Sequence, residues 1–159
     1  MIREFDRVPF LGDVIICSKD YSQKTNGLNL SESALLVEQD ELLFDPSQKV
    51  KLLFSLDILS EEDTLSSFTK NRHVIHLSAN FKSVFRSRQR TLFEFQKTKS
   101  FQNIFSLYYQ QTMFLISLFL KDQILNSNIE DVLFTRLGPE LSLKEKKAKA
   151  LQYFGFKSL

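Results

Sequence analysis

Apolar and polar residues alternate most regularly between Lys49 and Ile58. Val50, Leu52, Phe54, Leu56 and Ile58 fall on one side of an extended chain, and Lys49, Lys51, Ser55 and Asp57 on the other, with Leu53 the exception. A period of two predicts a half-buried β-strand. The apolar run inside Asp13–Cys17 predicts a shorter strand, and Lys24-Thr25-Asn26-Gly27 reads as a turn after it. Val74–Leu77 predicts another strand. Ala34–Val37 and Glu41–Phe44 flank Gln39-Asp40 and read as a hairpin, while a helix starting near Ser31 is the other reading of the same residues. Ser60 followed by Glu61-Glu62-Asp63 is a helix-start signal, since the hydroxyl caps free amides and the acids meet the positive end of the dipole. It predicts a short helix to about Lys70.

The period changes toward the C-terminus. Phe101, Ile104, Phe105, Tyr108, Leu115, Ile116 and Phe119 recur at the three-and-four spacing of one helical face. Leu107, Phe114 and Leu118 add apolar groups on another face, so the C-terminal part of this helix is apolar nearly all round. Asn128 precedes a second short helix that Gly138-Pro139 stops. Ser142-Leu143-Lys144-Glu145 matches the capping box, and Gly155 suits a C-terminal cap, which places a final helix over about Leu143 to Phe154. Between the two regimes, Phe81, Val84, Phe85 and Arg88 fit a helix with an apolar stripe, whereas Thr91, Phe93 and Phe95 alternate as a strand would. The elements predict an α+β fold, with a small antiparallel sheet from the N-terminal half packed against a C-terminal helical half carrying one long apolar helix. Residues 1–159 read as a single domain, β-rich over 1–80 and mainly helical over 81–159.

Composition narrows the class without naming a function. A chain of 159 residues can bury a core without disulfides or metals. With 43% apolar residues and a net charge of +2 it does not have the composition of a disordered chain. Four Gly and three Pro exclude collagen-like repeats, and so few glycines leave no Walker or dinucleotide phosphate loop. The unusual count is 16 Phe against no Trp. One cysteine, Cys17, forms no internal disulfide, which points to the cytoplasm or another reducing intracellular compartment. Met1–Arg7 lacks the pattern of a signal peptide. Gln110, Gln111 and Thr112 interrupt the apolar run Ile104–Leu120, leaving a stretch far short of the ~20 residues a membrane span needs.

The charge is divided unevenly. Residues 1–69 carry 13 acids and 6 bases, a net −7, whereas residues 70–99 carry eight bases against Glu94 alone, a net +7. Within the basic segment Phe81, Phe85, Phe93 and Phe95 are interleaved with Lys82, Arg86, Arg88, Arg90, Lys97 and Lys99. Guanidinium groups bind phosphates bidentately and aromatic faces stack on unpaired bases, so those six residues form a candidate interface for RNA or single strands. The competing reading buries the Phe rings and leaves the bases on a solvated face, neutralised by the acidic half. The lysines of the last helix, Lys144, Lys146, Lys147 and Lys149, follow a helix, Gly-Pro turn and helix that resemble the outline of a helix-turn-helix, but packing is their expected role.

Candidate chemistry is sparse. His73 and His76 would share a face on a helix and point apart on a strand, and their apolar neighbours favour the strand; no further ligand lies nearby in sequence to complete a metal site. His76-Leu77-Ser78 has the His-x-Ser form of two-histidine phosphoesterases without the second motif. Arg72 and His76 resemble the Arg-to-His signature of HEPN ribonucleases, with three intervening residues where that family usually has four or more. Arg86-Ser87-Arg88-Gln89-Arg90 contains the Arg-x3-Arg half of a cyclic-dinucleotide (PilZ-like) motif, whose second half, Asp/Asn-x-Ser-x-x-Gly, is absent, so the match is at chance level. A Cys17–His pair would suffer from a thiol in an apolar run, with a raised pKa.

No enzyme, cofactor or metal is therefore expected. The sequence favours a non-catalytic interaction or structural subunit that binds a protein partner or a second copy of itself through the apolar helix, with Phe114, Leu118 and Tyr109 as contacts, and through its charged surfaces. The alternative is a nucleic-acid-binding module using segment 82–99. A phosphodiesterase or nuclease centred on His73 and His76 is the outsider.

Overall fold

A computed structural model describes residues 7–38, 47–61, 68–85, 89–124 and 127–154. Seven strands come first: β1 (Val8–Pro9), β2 (Asp13–Cys17), β3 (Ser22–Leu30), β4 (Ala34–Glu38), β5 (Val50–Glu61), β6 (Phe68–Phe85) and β7 (Arg90–Phe95). Three helices follow: α1 (Lys99–Leu120), α2 (Ser127–Leu137) and α3 (Leu143–Phe154).

The sheet closes on itself. Neighbours run β3-β2-β5-β6-β7-β4, and β4 returns to pair with β3, giving a six-stranded antiparallel barrel, with β1 beside β3. Each of the six barrel strands has a neighbour on both sides, although beyond Leu53 strand β5 pairs with β6 alone. Two irregularities help bend it: the register slips between Gly27 and Asn29 where β3 meets β4, and between Phe81 and Ser83 where β6 meets β7. An extra residue in one strand kinks the ladder and increases its twist.

Alternation fills the interior. Val14 and Ile16 of β2, Leu52, Phe54 and Leu56 of β5, Ile75 and Leu77 of β6 and Phe93 of β7 are all buried. The phenylalanines form a chain of rings from the barrel into the helices: Phe10 lies 5.3 Å from Phe54, Phe54 6.3 Å from Phe101, Phe95 5.3 Å from Phe101, and Phe101 6.0 Å from Phe105. Helix α1 begins where the Thr98 hydroxyl accepts from the Phe101 amide. It lies against β1 and β5 and packs against α2 and α3. Gly138, in a left-handed conformation (φ 135°), ends α2, its amide donating to the Phe134 carbonyl.

The expected fold is therefore corrected. The sheet is not a small layer against a helical half but a closed barrel, and strand continues to Phe95 before helix begins at Lys99. Phe81, Val84 and Phe85 belong to strand β6. The register slip sets Phe81 opposite Phe93 and Val84 opposite Thr91, so a spacing of three arose from an irregular strand and resembled a helical stripe. The helix expected over Ser60 to Lys70 is strand at both ends, with Ser60 opposite Thr69 and Glu61 opposite Phe68, and residues 62–67 lie outside the described residues. The turn expected at Lys24–Gly27 lies inside β3. Ala34–Val37 is strand, as the hairpin reading required, but it pairs with β3 and β7; Glu41–Phe44 lies outside the described residues. Asp13–Cys17, the strand from Val50, the strand through Val74–Leu77, helix α1 over the long apolar run, the stop at Gly138-Pro139 and the last helix agree with the sequence reading. The capping box is formed: the Glu145 amide donates to Ser142 Oγ and the Ser142 amide to Glu145 Oε1, both at 3.2 Å.

Candidate functional site

The α1 contacts expected from sequence fall on two faces. Phe114 is 58% exposed, Leu118 is half-buried, and Leu107, one heptad before Phe114, is 51% exposed. Spacings of seven and four put these three on one side of the helix. Tyr109 lies on another side, half-buried, with its ring 6.1 Å from Phe105.

The basic segment divides differently. Arg86 and Arg88 lie outside the described residues. Lys82 pairs with Glu94 at 3.8 Å and Lys97 with Glu32 at 3.2 Å, while Arg90 and Lys99 are exposed. Phe93 and Phe95 are buried, and Phe81 packs on Phe93 with ring centroids 4.8 Å apart. Rings committed to the barrel core do not stack on bases. Part of the acidic half does neutralise the basic segment, through Glu32–Lys97 and Asp57–Arg72.

His73 is half-buried and His76 exposed, at positions of opposite parity on β6, so they do not form one site. Among the described residues no group of three or more His, Cys, Asp or Glu side chains could hold a metal ion. Lys146 is buried with its ammonium 4.1 Å from the centre of the Phe134 ring, and Lys149 donates to the Leu137 carbonyl at the end of α2, which assigns those two lysines to packing.

Two arrangements escaped sequence reasoning. The first is at the β3–β4 corner. Asn29-Leu30-Ser31-Glu32-Ser33-Ala34 follows the Asp/Asn-x-Ser-x-x-Gly pattern at every position but the last, and Arg3 and Arg7 supply an Arg-x3-Arg spacing. Pairing of Val8 with Leu30 and Pro9 with Asn29 brings Arg7, the residue before β1, toward Ser31. Arg3 lies outside the described residues. The Ser31 hydroxyl accepts from the amides of Ala34 at 3.0 Å and Ser33 at 3.3 Å, which holds the turn. Arg90 is elsewhere: β4 and β7 pair Ala34 with Glu94 and Glu38 with Arg90, so four residues of strand, about 13 Å, separate Arg90 from the corner.

The second is a cavity of about 450 Å³ on the outside of the barrel, between the β1–β2 connection, β5–β6 and the helices α1 and α2. Arg136 of α2 lies at its wall, only 6% exposed. Its Nη1 donates to Thr112 Oγ1 at 2.6 Å, its Nη2 to the Asp57 carbonyl at 2.7 Å, and its guanidinium lies 4.3 Å from the centre of the Tyr108 ring. Thr112 in turn donates to the Tyr108 carbonyl, and the Tyr108 hydroxyl donates to the Pro9 carbonyl at 3.2 Å. Burial pushes Arg136 below its ordinary pKa, although the neighbouring Tyr108 and Asp57 oppose that shift. Burial also raises Tyr108 to about 12, against the lowering influence of Arg136. Beside this network the Gln111 side chain donates to the Leu59 carbonyl at 2.6 Å and accepts from the Leu59 amide at 2.9 Å, pairing with β5 as another strand would.

These features place the chain in the class of closed antiparallel six-stranded barrels, here with helices packed against the barrel. No family model matches the sequence, and no curated protein matches it. Among solved structures it is similar to the Bacillus subtilis inhibitor of motility (MotI/DgrA), with a TM-score of 0.50 and 20% identity over 69% of this chain. The match covers 49% of that protein, about half its length, and the likeness is one of fold. No helix among the described residues is long and apolar enough to cross a membrane.

Proposed function

We propose that this chain is a non-catalytic binding module whose helical part docks on a protein partner. The observation that carries this is the outward face of α1, where Leu107, Phe114 and Leu118 line up over about 16 Å of helix. An exposed aromatic flanked by aliphatic groups is the composition of an interface anchor, and aromatic residues dominate binding energy in such contacts. The fold neighbour is an inhibitor of motility, which is compatible with a role in protein interaction. The test replaces Phe114 with a photo-crosslinking residue and compares adducts in the parent and in a Leu107→Asp variant. One discrete adduct, lost in the variant, is the expected result; adducts of the chain with itself identify a homo-oligomer. No adduct in cells expressing the protein at native level overturns the reading.

A second reading has its own support, in the β1–β3 pairing that brings Arg7 to the Asn29–Ala34 turn. Arginine suits bidentate recognition of phosphate, and the motif pattern points to a cyclic dinucleotide. Ala34 stands where the pattern has Gly; no positive φ is found in this turn, so the backbone accepts Ala, but its methyl group occupies space a glycine would leave open. Calorimetric titration with cyclic di-GMP and cyclic di-AMP tests it. Binding that falls at least about tenfold in Arg7→Ala supports this reading. Silence from both the parent and Ala34→Gly refutes it.

A further inference from the structure

We propose that the cavity walled by Arg136 binds a small organic anion with an apolar body, of the kind represented by a medium-chain carboxylate. The argument starts from Arg136. A guanidinium removed from water normally keeps an anionic partner, because an uncompensated buried charge is costly. Arg136 has neutral partners instead: a hydroxyl, a backbone carbonyl and an aromatic face. Among the described residues it forms no ion pair, and it borders a cavity large enough for a small ligand.

The two acids lining the cavity are already paired, although the Asp57 charge still supports that of Arg136. Asp57 gives Oδ1 to Arg72 at 3.2 Å, and Asp13 pairs with Lys24 at 3.3 Å. Arg72 uses only its Nε in that contact, which leaves its two terminal nitrogens without a partner among the described residues. Lys70, also lining the cavity, forms no ion pair among them. One end of the cavity thus holds two guanidinium groups and an ammonium around a single shared carboxylate.

The other end is apolar. Ile15 of β2 pairs with Leu53 of β5, and Val74 of β6 is diagonal to Leu53 on the same outer surface. All three line the cavity, and Val74 is 59% exposed. Leu53 and Asp57 are four residues apart on β5, so the two ends are separated by about 13 Å. A carboxylate against Arg72 and Arg136 with its chain over Leu53, Ile15 and Val74 satisfies both ends, whereas a compact inorganic anion satisfies one. This site is separate from the α1 face and from the Arg7 corner, so its test is independent of both readings above.

The experiment titrates the full chain with octanoate, octanol and inorganic phosphate, followed by calorimetry and by ligand-observed magnetic resonance. Two variants alter only exposed positions: Arg72→Gln removes a head-group contact, and Val74→Trp fills the apolar end. Their thermal unfolding is compared with the parent to confirm that the fold persists. Octanoate is expected to bind the parent at sub-millimolar concentration, about tenfold more weakly in Arg72→Gln, with the signal lost in Val74→Trp. Octanol binding as tightly as octanoate overturns the anionic half of the proposal. Phosphate binding as tightly overturns the apolar half. No octanoate binding to the parent, or binding unchanged in both variants, overturns it altogether.

Discussion

Replacing Gly27 by alanine tests how the barrel is closed around Phe10. Gly27 lies mid-strand in β3, where its amide donates to the Gly12 carbonyl at 2.8 Å and the β3–β4 register slips. A methyl group at position 27 would sit 2.5 and 2.6 Å from two carbons of the Phe10 ring and 2.9 Å from the Phe10 carbonyl oxygen. Non-bonded carbons are comfortable at about 3.5–4.0 Å, so the overlap is about 1 Å. The ring has little room to yield: it is 4% exposed, lies 5.3 Å from Phe54, and would be 3.1 Å from a methyl at Gly12. Over-packing a tight core costs about 1–3 kcal/mol, and a clash with backbone as well as ring places Gly27→Ala near the top of that range. For a chain of this size about 3 kcal/mol lowers Tm by roughly 6–12 °C. Denaturant unfolding of Gly27→Ala, Phe10→Leu and the double variant gives the coupling. Phe10→Leu destabilises alone, but the second change should then cost about 1 kcal/mol or less, because the clashing ring is gone and only the 2.9 Å contact with the backbone carbonyl remains. If Gly27→Ala unfolds within about 0.5 kcal/mol of the parent, Phe10 is not held between the two glycines and the account of this strand is wrong.

Other consequences concern the junction of barrel and helices. Gln111→Leu keeps the apolar body but strands the Leu59 amide and carbonyl, and urea unfolding should show a loss of about 1–3 kcal/mol; no loss means that solvent reaches this end of β5. Tyr108→Phe removes a phenol raised from 10.0 to about 12. The unfolded state ionises first as pH rises, so this stabilisation is complete below pH 10 and is lost between about pH 10 and 12, a fall of about 2–3 kcal/mol in the parent that the variant should not show. Parallel stability–pH curves for the two proteins would disprove burial of the hydroxyl.

The helical part was legible because its signals are local. Three-and-four spacing, the Ser142–Glu145 box and Gly138-Pro139 each act within a few residues, and each is realised. The barrel depends on partners far apart, such as Leu35 opposite Phe93, and no local pattern announces that β4 will join β3 and β7 at once. Two misreadings have physical causes. Gly27 looked like a turn residue because glycine is common there, yet it is needed in a strand because an aromatic ring covers it. Ser60 and Glu61 looked like a helix start, but an eighteen-residue β6 offered those two residues a ladder, opposite Thr69 and Phe68. The site was less legible still. Arg136 reads as an ordinary cation in the last turn of a helix, and its surroundings come from β1, β5, α1 and α2 together. The Asn29–Ala34 turn was visible in the residues but hidden by requiring glycine at its last position.

The opposed charges of the two sequence segments acquire a different meaning once the strands are paired. Antiparallel β5 and β6 set Asp57 against Arg72, and the turn after β3 sets Glu32 against Lys97. These pairs are in contact with solvent, Asp57–Arg72 more than Glu32–Lys97, and each adds little stability. Their effect lies in the field they remove, because opposite charges a few ångströms apart cancel well within a Debye length of about 8 Å. An incoming partner thus meets alternating charge at those pairs. Selectivity there must come from contacts made at close range. Besides the Arg7 corner, the described residues offer two with the necessary chemistry: an aromatic-centred stripe on α1 that water solvates poorly, and a buried guanidinium at the wall of a cavity. Both rest on the same helix, since Tyr108 and Thr112 hold Arg136 from one side of α1 while Phe114 projects from another. Occupancy of the cavity and docking on the outer face would therefore load one helix on two different faces.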